Sequence, residues 1–139
     1  MTLTDSLRKL KPTWLVIDDN VAIESGTKSW HFSHVLGRSK IGENCNIEQN
    51  VVIGPDVTIG RQCKIQNNVS IYKGVTLEDG VFCGPSMVFT NIYNLRAEIR
   101  KMDQVRATLV KKVPPSVPIP PLSAVQYLAV TALLAPGRL

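Results

Sequence analysis

One register of residues runs along most of this chain at a spacing of six, without a slip: Ile17, Ile23, Ser29, Val35, Ile41, Ile47, Ile53, Ile59, Ile65, Ile71, Leu77, Cys83, Phe89. A second register, four residues later, is small or β-branched: Val21, Thr27, Ser33, Ser39, Cys45, Val51, Val57, Cys63, Val69, Val75, Val81, Met87. Glycine follows the aliphatic residue at Gly42, Gly54, Gly60 and Gly84, and turn formers recur at Asn20, Gly26, Asn44, Asn50, Asp56, Asn68, Gly74 and Gly80. A period of six is not that of an amphipathic helix, whose apolar stripe returns at three and four. It fits a short strand followed by a two-residue corner, with inward residues two apart across the corner. The corner needs positive φ, which Gly, Asn and Asp tolerate best. Three sides close a coil of eighteen residues, so twelve hexads between 17 and 88 predict four stacked coils. At ~4.8 Å per coil the stack is roughly 19 Å tall.

Composition agrees with one small globular domain. The 139 residues are 44% hydrophobic and 19% charged, which disfavours wholesale disorder and a coiled coil. No apolar run reaches the ~20 residues of a membrane-spanning helix. The opening MTLTDSLRKLK lacks the apolar core of a secretory signal, so a cytoplasmic location is expected, with no membrane partner. Aromatics are only 6%, thin for a nucleic-acid stacking surface. The net charge of +5 is concentrated: residues 92–112 carry +4, from Arg96, Arg100, Lys101, Arg106, Lys111 and Lys112 against Glu98 and Asp103. A patch that short suits a phosphorylated small ligand at least as well as a nucleic acid, and no nucleic-acid partner is expected.

Stacking gives each residue a neighbour eighteen positions on. Cys45 lies over Cys63, both inward, which leaves open either a bridge or two reduced thiols filling the core. Cys83 also points inward, against a nucleophilic role. No metal-ligand spacing appears, and no metal site is expected. On the outside, His31, Gln49, Asn67 and Pro85 form one column, Phe32, Asn50, Asn68 and Ser86 the next, and Trp30, Glu48, Gln66 and Gly84 a third. One edge of the prism therefore presents a ladder of amides with a histidine and two large aromatics at its lower end. Asn50 and Asn68 are explained as positive-φ corners alone; Asn67 and His31 are not. Trp30 and Phe32 mark a covered surface, either a subunit interface or a substrate wall. His31 and His34 are the only histidines, and each has the proton affinity of a base near neutral pH. After Phe89 the hexads give way to FTNIYNLRAEIRKMDQVRATLVKK, weakly helical over 95–106. Insertions longer than about a dozen residues in a compact repeat usually have a function. The loop leaves the face bearing the amide ladder and is expected to close over it.

The hexad pattern resembles that of hexapeptide-repeat acyltransferases, which implies an all-β, left-handed parallel β-helix. Handedness comes from the resemblance, since the usual crossover preference is right-handed. A γ-type carbonic anhydrase shares that fold but needs three zinc-binding histidines. More closely, WHFSH at 30–34, CKIQNNVSIYKGVTLEDGVFCGPSMVFTNIYN at 63–94 and TLVKK at 108–112 resemble the UDP-3-amino-sugar N-acetyltransferases of bacterial surface-polysaccharide (O-antigen, lipopolysaccharide) assembly, and the related dTDP-3-amino-sugar enzymes. The match spans about residues 12–112. It implies a homotrimer with active sites between neighbouring β-helices, acetyl-CoA as donor, and the 3-amino group of a nucleotide-linked sugar as acceptor. By the same resemblance Asn91 lies at the reacting centre, and Tyr93, Arg96, Asn67 and Ser86 hold the sugar nucleotide. His31 and His34 are substrate-side residues and the less favoured proton acceptors. The proline that usually precedes the arginine in this family is Leu95 here. O-acetylation of another acceptor and a non-catalytic β-helix that only trimerises or binds sugar nucleotide are the alternatives.

The chain divides into an N-terminal extension and first turn (1–16), the β-helix (17–89), an active-site loop (90–112) and a tail (113–139). The tail, VPPSVPIPPLSAVQYLAVTALLAPGRL, holds six of the nine prolines. Proline lacks the N–H a parallel ladder needs, so VPPSVPIPP cannot extend the coil. Shifting the reading by one base, so that each codon takes its first base from its predecessor, allows GATIGANxTIVCGxxLGRYxxIGAGAV. Aliphatic residues then return at 116, 122, 128 and 134. The tail reads as the product of a frameshift that replaced further coils.

Overall fold

A computed structural model describes residues 14–92, 97–100 and 102–112. The tail (113–139), read from sequence as the product of a frameshift, lies outside the described residues, as do Tyr93 and Arg96. The chain winds as a three-sided parallel β-helix of about four coils, consistent with the left-handed form, with almost no helix. Each side is a parallel sheet of very short strands. The first side stacks β1 (Val16–Ile17), β4 (His34–Val35), β7 (Val52–Ile53), β10 (Ser70–Ile71) and β13 (Val88–Phe89). The second stacks β2 (Ala22–Ile23), β5 (Lys40–Ile41), β8 (Thr58–Ile59), β11 (Val75–Leu77) and β14 (Thr108–Val110). The third stacks β3 (Lys28–Ser29), β6 (Asn46–Ile47), β9 (Lys64–Ile65) and β12 (Phe82–Cys83). The register is uniform: Val35 pairs Ile53, Ile41 pairs Ile59 and Ile47 pairs Ile65, eighteen residues apart in each case.

Strands of two residues persist because every coil repeats the same ladder. The N–H of His34 donates to the Val51 carbonyl (2.9 Å), Lys40 to Val57 (2.8 Å) and Asn46 to Cys63 (2.9 Å). The hexad column fills the tube: Val35, Ile41, Ile47, Ile53, Ile59, Ile65, Ile71, Leu77, Cys83 and Phe89 are all buried in one continuous core. The small column lines the inner corners. In the lower coils it carries hydroxyls: Thr27 Oγ1 donates to the Gly42 carbonyl (2.7 Å) and accepts from the Cys45 N–H (3.0 Å), and Ser33 Oγ does the same with Glu48 and Val51. Two coils of thiols follow, with Cys45 Sγ donating to the Gly60 carbonyl and Cys63 Sγ to that of Glu78, both at 3.1 Å. All three cysteines are free and buried. Burial pushes the Cys83 thiol up to about 12, and the Cys63 thiol is raised by its hydrogen bond with the Cys45 sulfur and by burial. These are core fillers.

Every corner turns through one left-handed residue. Positive φ occurs at 20, 26, 32, 38, 44, 50, 56, 62, 68, 74, 80 and 86, an unbroken period of six, and additionally at Gly54 (φ 103°). Asn and Gly are expected there; Phe32, Arg38, Gln62 and Ser86 hold φ near 60° without that intrinsic ease.

Candidate functional site

Two corners border the first side. The corner entering it carries His31, Phe32, Gln49, Asn50, Asn67, Asn68, Pro85 and Ser86 (the amide corner). The corner leaving it carries Arg38, Asp56, Lys73, Gly74 and Asn91 (the loop corner). The amide ladder is physically linked: Asn50 Nδ2 donates to Asn68 Oδ1 (2.8 Å), Asn67 Oδ1 accepts from the Gln49 N–H (3.2 Å), and the Ser86 N–H donates to the Asn67 carbonyl (2.9 Å). Asn67 and Ser86 are exposed, so Asn67, Ser86 and His31 share one edge of the prism, with His31 at its foot.

His31 is held differently from a solvated base. Its ring stacks on Trp14 at 3.9 Å between centroids, with an interplanar angle of 29°. Its Nδ1 is shielded from solvent and has no hydrogen-bond partner among the described residues. His34 lies on the outer face of the first side, where its Nε2 meets Asp18 Oδ1 at 2.8 Å. That pairing fixes the ring. It also sits three strands below β13, roughly 14 Å at the coil spacing, so within one chain it is remote from Asn91.

The loop is rooted at the loop corner. Asn91 Nδ2 donates to the Lys73 carbonyl (3.0 Å), the Asn91 carbonyl accepts from the Arg106 N–H (2.9 Å), and the Thr108 N–H donates to the Gly74 carbonyl (2.8 Å). Asn91 thus ties the outgoing strand of the loop to the returning one and to the coil beneath. Within the stretch 95–106, read from sequence as weakly helical, Met102–Gln104 forms one turn of 3-10 helix. Thr108–Val110, inside the segment read as loop, is β14, paired with β11. The root stands across the width of the first side from the amide ladder, so one chain does not bring Asn91 together with Asn67, Ser86 and His31. The eighteen-residue count already implies this separation, since Asn91 falls above Lys73 and not above Asn67.

The loop corner also carries a linked set of charges. Arg38 Nε and Nη2 donate to Asp56 Oδ1 (2.6 Å) and Oδ2 (2.9 Å), and Lys73 Nζ lies 3.6 Å from Asp56 Oδ2. The Arg38 guanidinium beside Asp56, reinforced by Lys73, holds its carboxyl below the usual carboxylate range. Neither Arg38 nor Asp56 stood out from sequence; the signal available was their eighteen-residue separation with opposite charge.

Among the described residues no cluster of three or more His, Cys, Asp or Glu is arranged to hold a metal ion, and no helix is long and apolar enough to cross a membrane. Comparison with protein-family models gives no match, and neither does comparison with curated proteins. What the fold defines is a parallel β-helix of the hexapeptide-repeat kind, an architecture common among acyltransferases.

Proposed function

We propose that the chain is an acetyl-CoA-dependent N-acetyltransferase scaffold acting on the 3-amino group of a nucleotide-linked sugar, assembled as a homotrimer in the cytoplasm. The observation that carries this reading is the single long loop breaking a regular β-helix and anchored at its root by Asn91, within the sequence block that resembles such enzymes. The homotrimer is part of this reading, and the separation of the proposed site residues within one chain supports a site shared between copies. Asn91 and the amide ladder occupy opposite edges of one side, so a complete site requires the loop corner of one copy beside the amide corner of the next.

The reaction joins a neutral amine to a thioester carbonyl. The amine nitrogen forms a bond to the carbonyl carbon, the tetrahedral oxyanion collapses, and the carbon–sulfur bond breaks to release the CoA thiolate. The ammonium proton leaves to water or to that thiolate. Positioning and oxyanion stabilisation supply most of the acceleration in such a transfer. Because Asn91 Nδ2 is engaged by the Lys73 carbonyl, its amide plane is fixed and Oδ1 is the atom left to orient the amine. An amide takes no proton at neutral pH, so Asn91 aligns rather than deprotonates. Asn67 and Ser86, with Tyr93 and Arg96, are assigned to the sugar nucleotide, and exposed Arg106, Lys111 and Lys112 at the same end offer cations for the phosphates of CoA. His34, paired with Asp18, and His31, stacked on Trp14, act as positioning groups.

Release of free thiol from acetyl-CoA in the presence of a UDP- or dTDP-linked 3-amino sugar tests the proposal. Asn91→Ala is expected to slow release roughly 100-fold, the cost of a misplaced reactant, with the fold intact by circular dichroism. Sugar-nucleotide binding without any thiol release from the wild-type chain would favour the non-catalytic β-helix instead, a reading the proline-rich tail supports.

A further inference from the structure

Of the twelve left-handed corners, only one holds an apolar side chain. Phe32 turns at φ 61°, a conformation unfavourable for a bulky residue, yet its side chain gains no core burial in return, being 69% exposed. Strain retained where packing does not reward it points to a surface with a task. The ring is not loose. It lies 6.0 Å from the His31 ring, which stacks in turn on Trp14. Trp30, two residues earlier and 45% exposed, is pinned by its Nε1 donating to Asn46 Oδ1 at 3.1 Å. The result is a preformed aromatic platform at the foot of the amide corner.

Its surroundings select an occupant. Asn50, next above Phe32 in the corner column, uses its amide N–H on Asn68 and keeps a carbonyl oxygen as acceptor. Lys28 and Lys64 flank Asn46 in register on the third side; both are exposed, and neither has an ion pair among the described residues. A planar ring with one N–H donor on its edge, joined to phosphates, complements that set: stacking on the aromatics, donation to the amide, phosphate on the lysines. Uracil and thymine present an imide N–H to that acceptor and cytosine an exocyclic amine N–H, so the choice of uridine or thymidine comes from the sugar-nucleotide reading above.

We infer that Phe32, Trp30 and Asn50, with Lys28 and Lys64 beside them, form the subsite for the base and phosphates of a uridine or thymidine diphosphate. The assignment rests on the sugar-nucleotide reading above and deepens it. From the Phe32 corner to the Ser86 corner is three coils, roughly 14 Å, so a diphosphate laid up the edge would carry its sugar toward Asn67 and Ser86.

The chain has two tryptophans, Trp14 and Trp30, and both belong to this platform, so intrinsic fluorescence reports on it directly. UDP is expected to quench that fluorescence saturably. Phe32→Asn supplies the residue other corners prefer, and so is expected to keep or raise the melting temperature while weakening UDP ten-fold or more, the scale of a lost base–aromatic stack. Lys28→Ala with Lys64→Ala should weaken UDP toward the affinity of uridine and leave uridine itself unchanged. UDP binding to Phe32→Asn with wild-type affinity overturns the inference. So does a shift in sedimentation of Phe32→Asn with unaltered UDP binding, which would mark the patch as a contact between copies. If wild-type protein transfers acetyl but Phe32→Asn keeps its KM for the sugar nucleotide, the subsite is wrong and the acetyltransferase reading stands. If UDP binds through Phe32 and no amino sugar is acetylated, the subsite stands and the transfer reading falls.

Discussion

Asp56 occupies a left-handed corner at φ 56° and is held by Arg38 from the coil below and Lys73 from the coil above it in the stack. Replacing it with asparagine keeps a side chain equally suited to that backbone, which isolates the charge from the turn. Because the folded carboxyl titrates lower than in the unfolded chain, its stabilising contribution is fully present above the unfolded value near 3.9. It is lost as pH falls through the lower folded value. Asp56→Asn should therefore melt below wild type at pH 7, by a small margin because the network is exposed. The two melting curves should converge as pH is lowered from about 4. A gap that persists unchanged at pH 2 would show that the carboxylate charge is not what the corner uses. Added salt should narrow the gap at pH 7 as well, since solvent-exposed pairs are screened within about 10 Å at 0.1 M.

At the scale of single coils, spacing is set by side chains that must be absent. A Cβ built on Gly42 would come within 2.8 Å of the Gly60 carbonyl carbon in the coil above, and one on Gly60 within 2.6 Å of the Asp79 N–H nitrogen. Backbone is the obstacle in both places, and the ~4.8 Å rise gives it nowhere to go. Gly60→Ala should destabilise by about 1–3 kcal/mol, the usual cost of overpacking, measured by thermal or urea unfolding; a neutral result would mean that the coils separate freely at this corner. Such constraints are why the inward columns could be read from spacing: each coil repeats one set of demands, and Ile41, Ile59 and Leu77 meet the same one in turn. The corners were less legible. Asn20, Asn50 and Gly80 announce positive φ, whereas Phe32, Arg38, Gln62 and Ser86 take it because the coils on either side impose it. Asn67 and Ser86 fall in adjacent columns of one edge, since addition of eighteen carries Asn67 to Pro85 and Asn68 to Ser86. Asn91 falls above Lys73 by the same count, whereas the Trp14–His31 ring stack is a side-chain contact that no periodicity encodes, and the loop, being irregular, erases the count that would have located β14.

For the molecule as a whole, β14 restores that count. Val110 pairs with Leu77 in parallel register and is buried, thirty-three positions on instead of eighteen, so the loop adds fifteen residues and then returns the chain to the inward column. The next inward position is 116, on the third side, where β12 awaits a neighbour among the described residues. The chain as written supplies Ser116 there, flanked by Pro114, Pro115 and Pro118, residues that cannot donate to a parallel ladder. The shifted reading supplies aliphatic residues at 116, 122, 128 and 134, in phase with Val110 across an irregular loop. Coding DNA across codons 110–116 is expected to contain a one-base insertion or deletion relative to the frame that continues the hexads. A protein expressed with that frame restored should trimerise, whereas the proline-bearing chain, whose prolines cannot donate to a ladder above β12 and β13, should aggregate. Sedimentation of the two proteins side by side decides the matter: equal, monodisperse behaviour would mean that the upper edges are protected without further coils, and that the phase agreement at 116 is coincidence.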